Sequence, residues 1–213
     1  VREELLPTLW REGKISQGIK VSISGAADQL EATKASLSSN FVIALILSYL
    51  LLVAIFTHWR YPMFILATVP LGMAGGLLGL ISVNGINAII ASMGLPAYHQ
   101  PSDMITMLGF LILLGTVVNN PILIVDQTRY FVLEQGMKVK EAVIKAVDKR
   151  LKPILMSTAT TIFGLAPLVL IPGEGTELYR GIGVIVLSGI FVSTFLSLTF
   201  LPALLVSVIK DKN

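Results

Sequence analysis

The sequence predicts an all-α membrane protein, with five transmembrane helices preceded by a short extramembrane α+β stub. Three observations carry this. Of 213 residues, 54% are hydrophobic and only 14% charged, a pairing that departs from soluble domains. The charges are also clustered, with ten of 29 in residues 1–34, eleven in 126–152 and eight elsewhere. Between them lie five uncharged runs, 35–59, 61–102, 104–125, 153–173 and 181–209. A hydrocarbon core about 30 Å thick takes roughly 20 helical residues to cross, so four runs hold one span each. The second run, 42 residues long, holds a span and a further apolar stretch. This composition excludes disorder, nucleic-acid binding and a secreted disulfide scaffold. With no cysteine there is neither a disulfide nor thiolate chemistry.

Residues 1–38 differ from the rest, and residues 39–213 form the membrane bundle. The first part holds five basic and five acidic residues and reads as water-exposed. Lys20 to Ser24 alternates as a strand, and the stretch after Gly25 has the composition of a helix. A lone strand needs partners for its backbone, and neither a start Met nor a signal peptide is present. The chain is therefore expected to begin inside a larger extramembrane domain.

The first span is expected at about 39–57, closed by Trp59, Arg60 and Tyr61 at the interface, with Pro62 opening the next helix. The second, about 62–83, carries Gly72, Gly75, Gly76 and Gly79, small residues at spacings of three and four that admit a neighbouring helix closely. Ile86 to Met93, bounded by Asn84-Gly85 and by Pro96 and Pro101, is too short to span and is expected as an interfacial or re-entrant turn. The third span follows at about 104–126. Val139, Ala142, Val143, Ala146 and Val147 then recur at helical spacing against lysines, predicting an amphipathic surface helix over about 138–151. The last two spans are expected at about 153–171 and 181–209.

Five spans put the ends on opposite sides. The first and third loops with the tail hold ten basic residues, whereas the second and fourth loops hold only Arg180. The excess of positive charge predicts a cytoplasmic C-terminus and an N-terminal stub outside.

The third span contains Asn119 and Asn120 before Pro121. An amide in hydrocarbon needs a partner, and adjacent helical residues lie about 100° apart, so at least one amide must face another helix. Asp126 lies on nearly the face of Asn119, but at the solvated end. The fourth span carries Ser157, Thr158, Thr160 and Thr161, which either bond back to their own carbonyls or form a polar seam with the third span. No titratable residue lies in the middle of any span, and His58 and His99 fall in loops. A proton path needs a titrating group, so such a group would have to lie elsewhere. No phosphate loop, zinc motif or nucleophile motif occurs, so no catalytic residue, metal site or enzyme is expected.

Asp103 through Gly109 and Gly115 to NNPILIVD, the basic amphipathic helix and KRLKPILMSTATTIFGLAPLVL resemble the C-terminal membrane half of resistance-nodulation-division (RND) efflux transporters of the acriflavine-resistance type. VSISGAADQLEATKAS is similar to their passage from the porter domain into the eighth membrane helix, and GTELYRGIGVIVLSGIFVSTFLSLTFLPAL to the end of the eleventh-to-twelfth connection and the last helix. The resemblance implies that the spans match helices eight to twelve of a twelve-helix subunit, and that residues 1–38 end a periplasmic porter domain. In that family a proton relay joins an Asp pair in the N-terminal half to a Lys and a hydroxyl residue. The hydroxyl position falls on Ser157 and the Lys position on Asn119, a neutral departure. Asn119, Asn120 and Ser157, with Thr158 and Thr161 nearby, can still hydrogen-bond Asp side chains and bias their protonation. The extra length over 86–101 is a second departure.

What the resemblance implies is a proton-driven multidrug or metabolite exporter of the bacterial inner membrane, powered by the proton gradient without another cofactor, whose bundle is inactive alone. Expected partners are the N-terminal part of the same transporter, further copies in a homotrimer, a periplasmic adaptor and outer-membrane channel, and the lipid bilayer, but no nucleic acid. Alternatives are an RND-fold lipid exporter or protein-translocation accessory, or a non-transporting truncated membrane protein.

Overall fold

The computed structural model describes residues 26–95, 100, 103–171, 173 and 175–208. The chain divides into two units, Val1–Ser38 and Ser39–Asn213. In the first unit the described residues, 26–38, are helical, and the expected strand at Lys20–Ser24 lies outside the described residues. Seven helices are described: α1 (Ala26–Phe56), α2 (Arg60–Leu66), α3 (Thr68–Ser92), α4 (Met104–Val117), α5 (Asn119–Leu133), α6 (Val139–Leu170) and α7 (Thr176–Val208). No strand occurs among the described residues. Five stretches are long and apolar enough to cross a membrane: Ala35–Phe56, Arg60–Ser92, Met104–Leu133, Val139–Leu170 and Thr176–Ser207. Helices satisfy their own backbone, which hydrocarbon cannot do for them.

Two of the five stretches are broken, and proline explains both. The break at Ala67 stands three residues before Pro70, and that at Val118 three before Pro121. Proline offers no N–H to the carbonyl four residues back and crowds it, so Leu66 and Val117 end their helices. The expected division between a surface helix at 138–151 and a span at 153–171 is corrected, because α6 runs unbroken through Pro153. The carbonyl that Pro153 frees belongs to Lys149, among exposed charged residues where water can satisfy it.

The expected turn at Ile86–Met93 is also corrected, because α3 continues to Ser92. Asn84 does not start a turn. Its amide donates to the Gln100 carbonyl at 3.0 Å and accepts from the Gln100 N–H at 2.9 Å, while Gln100 Nε2 donates to the Glu177 carbonyl at 3.4 Å. With its side chain satisfied across the bundle, Asn84 has no need to compete for local backbone groups. Asp103 caps α4 by accepting the Thr106 N–H at 2.8 Å.

In the membrane unit, α7 is the central helix and packs on α3, α4 and α6. Its contact with α3 depends on small residues. A Cβ at Gly72 would meet Val117 at 2.8 Å and Ser193 at 3.4 Å, one at Gly75 would meet Val192 at 2.5 Å, and one at Gly76 would meet Ile185 at 3.0 Å. At Gly79 it would overlap Ser188, and at Gly189 it would overlap Leu113. Leu113, Ile124, Ile154, Ile185, Leu201 and Leu205 are fully buried around this axis. By contrast α6 exposes Leu155, Met156, Phe163 and Leu170, and α1 exposes Val42, Ile46, Leu47 and Leu51. Such faces suit lipid or further membrane helices.

After α5, Gly136 takes φ +62° and the Met137 N–H reaches the Phe131 carbonyl at 3.1 Å, turning the chain back into α6.

Candidate functional site: a neutral polar cavity beside the α4–α5 break

The break at Val118 sets the site. It restarts the helix at Asn119, with Asn120 one position on, so the two amides diverge. Asn120 points inward and is 7% exposed, whereas Asn119 is exposed. Asn120 Nδ2 donates to Thr194 Oγ1 at 3.1 Å, and Thr194 Oγ1 lies 2.9 Å from Thr158 Oγ1. All three residues are buried, so a polar chain crosses from α5 through α7 to α6. Of the two expected arrangements, Thr160 and Thr161 bond back to their own helix, while Thr158 is linked to Asn120 through a residue of the last helix.

Asn119, Asn120, Ser157, Thr158, Thr161 and Thr116 line a cavity of about 360 Å³, with Ser48, Leu51 and Leu52 of α1 on its other side. Ser157 is exposed to it and Thr161 is half-buried. Thr161 Oγ1 donates to the Ser157 carbonyl at 3.0 Å, Thr160 to the Met156 carbonyl at 2.8 Å, and Thr116 to the Leu113 carbonyl at 3.0 Å. These hydroxyls thus spend their donors on their own helices, the common state of Ser and Thr in membrane helices. Asn119 and Ser157 keep polar atoms toward the cavity. None of the lining residues titrates, so the site can donate and accept hydrogen bonds but cannot itself carry a proton as charge.

Sequence reasoning missed Thr194, although α7 carries Gly189, Ser193 and Ser197 at spacings of four, the same small-residue signal noticed in α3. Ser193 and Ser197 are buried to 1% and 0% exposure, and their hydroxyl oxygens make no hydrogen bond among the described residues. Asp126 is exposed, as its position near a polar end suggested, while His99 lies outside the described residues. His58 Nδ1 accepts the Arg60 N–H at 3.3 Å, and its ring meets Tyr61 edge-on at 5.4 Å.

Thr194 has two side-chain partners and Thr158 has one, so their replacement by valine should differ. Thr194→Val is expected to lower the stability of the bundle by about 1–2 kcal/mol and Thr158→Val by less, on the scale of hydrogen bonds within membrane proteins. Thermal melts of the two variants in detergent check the order.

A profile of the AcrB/AcrD/AcrF family matches residues 4–209. The chain is 31% identical over 184 residues to the multidrug resistance protein MdtC of Erwinia amylovora, which covers 86% of this chain and 16% of that protein. It is 29% identical over 195 residues to the multidrug export protein AcrF of Escherichia coli, covering 92% of this chain and 17% of the relative. A crystal structure of a heavy metal efflux pump superposes with a TM-score of 0.68 at 25% identity, over 97% of this chain and 19% of that one. The chain thus spans about one-sixth of the length of the curated relatives it matches. With a family match along nearly its whole length, this chain belongs to the AcrB/AcrD/AcrF family.

Proposed function

We propose that the chain is the C-terminal membrane bundle of a proton-driven RND exporter and forms the neutral wall of its proton relay. The observation that carries this reading is the cavity beside the α4–α5 break, lined by amides, hydroxyls and apolar side chains and by nothing that titrates. Such a wall suits a carboxyl group supplied from outside these residues. Asn119 Nδ2 and Ser157 Oγ can donate to a carboxylate, and Asn119 Oδ1 or Ser157 Oγ can accept from the protonated acid. Protonation would then change the hydrogen bonding across the cavity and shift one half of the membrane domain against the other.

The excess of basic residues in the α2, α5–α6 and C-terminal segments supports a cytoplasmic C-terminus in the bacterial inner membrane, with residues 1–38 periplasmic. The partners are the N-terminal part of the same transporter, two further copies, and a periplasmic adaptor with its outer-membrane channel.

The test is reconstitution of the full-length transporter in liposomes with an imposed pH gradient. Dye movement that follows the gradient and stops with a protonophore is expected. Gradient-independent movement, or none with a folded protein, contradicts the reading. In cells, Lys145→Cys should react only with membrane-permeant maleimide and Gly85→Cys with the impermeant reagent, whereas the reverse pattern contradicts the orientation.

A further inference from the structure

A second cavity of about 490 Å³ opens where α5 ends and α6 passes it. Five charged side chains line it: Arg129, Lys149 and Arg150 on one sign, Asp126 and Glu134 on the other. Among the described residues these five form no ion pair with one another, although they border one space. Here two of the cations are held in place. Arg129 donates through Nη2 to Thr57 Oγ1 at 3.2 Å, and the Lys149 ammonium stands 5.6 Å over the Phe131 ring, which is buried. Arg150 is half-buried, and its Nε is fully covered without a hydrogen-bond partner.

The cavity lies at a polar end of the membrane-crossing stretches, and its lip is apolar. Tyr130 is 47% and Leu133 62% exposed, about one turn apart on α5. Tyrosine in this position marks the headgroup level. The last carbonyls of α5 add partial negative charge next to Glu134.

We infer that this cavity binds the headgroup of an amine-bearing phospholipid, a phosphoethanolamine. The phosphate lies against Arg150, Lys149 and Arg129, and the ammonium lies against Asp126, Glu134 and the α5 carbonyls. The acyl chains leave past Tyr130 and Leu133. A purely anionic headgroup would satisfy the cations and leave two carboxylates facing it. A choline headgroup carries the positive charge but has no N–H to donate. The three N–H donors of an ethanolammonium match both carboxylates and carbonyls. Basic pockets among helices at the cytoplasmic face are a known way of holding lipid phosphates. The leaflet rests on the orientation proposed above, whereas the site does not.

The test is native mass spectrometry of the full-length transporter released from nanodiscs of equal phosphatidylethanolamine, phosphatidylcholine and phosphatidylglycerol. Retained phosphatidylethanolamine should exceed phosphatidylcholine by about fivefold or more, the ratio that one hydrogen bond of ordinary net strength confers. Retention should fall stepwise along the mono-, di- and trimethylated headgroups, a series that needs no variant protein. Removing the carboxylates (Asp126→Asn with Glu134→Gln) should bring the ratio to parity, whereas removing the cations (Lys149→Gln with Arg150→Gln) should lower retention of all three phosphate-bearing lipids, with Arg150→Lys keeping most of it. Equal retention of the ethanolamine and choline lipids overturns the inference, as does preference for phosphatidylglycerol or an unchanged ratio in the carboxylate variant. Soluble phosphoethanolamine that displaces the lipid at equal concentration would assign the site to a soluble ligand and overturn the lipid reading. Retention is read without transport, so a failure of efflux and a failure of this site are separable results.

Discussion

Replacing Gly75 by leucine in the full-length transporter is expected to remove most of the folded protein from the membrane. A Cβ at Gly75 already stands 2.5 Å from Val192 Cβ and 2.9 and 3.0 Å from its two methyls, before the rest of a leucine is added. Real carbon contacts need about 3.5 Å or more, so α3 and α7 must part. They cannot part at one point only. Gly72, Gly76 and Gly79 keep the same approach along two turns of α3, against Ser193, Ile185 and Ser188. Membrane helices associate largely through such close packing, and overpacking costs about 1–3 kcal/mol even where a core relaxes. Ala74 is exposed and adjacent, so Ala74→Leu is the control. Folded yield and melting temperature by size-exclusion in detergent should collapse for Gly75→Leu and stay near the parent for Ala74→Leu. Similar values for both would show that the α3–α7 contact does not hold the bundle.

Asn119→Leu is expected to do the opposite, leaving a folded protein that transports at least about tenfold more slowly under a pH gradient. Asn119 is exposed to the cavity, and none of its hydrogen bonds supports the described bundle. Its neighbour has the complementary role. Asn120 bonds Thr194, so Asn120→Leu leaves the Thr194–Thr158 pair without its donor and should lower stability by about 1–2 kcal/mol. Two adjacent amides therefore separate function from stability. Transport unchanged in Asn119→Leu would make that residue a bystander of the relay.

The number of spans was legible in the sequence because apolar runs and bilayer thickness are both one-dimensional. So was the pair of divergent amides, which follows from a rotation of about 100° per residue. The boundaries were less legible. Ile86–Met93 was too short to count as a span by itself, yet it is the end of a helix already begun, and Asn84 finds its partner sixteen residues on in Gln100. Pro153 has the local signature of a helix start yet is an interior residue, because the freed carbonyl has water to face. The middle link of the polar chain, Thr194, lies 74 residues from Asn120. No local pattern encodes that meeting, since it depends on how α5, α6 and α7 pack together. The small-residue repeat of α7 offered the nearest hint, since its Ser193 faces Gly72 of α3 and its Gly189 faces Leu113 of α4.

The central claim is that neutral groups of this chain hydrogen-bond a relay carboxyl supplied from outside it. Infrared titration of the protonated carboxyl band in the full-length transporter tests this most directly. Donors such as Asn119 Nδ2 favour the carboxylate and hold its titration midpoint down. Losing one such bond removes about 1.5 kcal/mol, so Asn119→Leu should move the midpoint up by about one pH unit and shift the band. A midpoint and band identical to those of the parent protein would contradict the account.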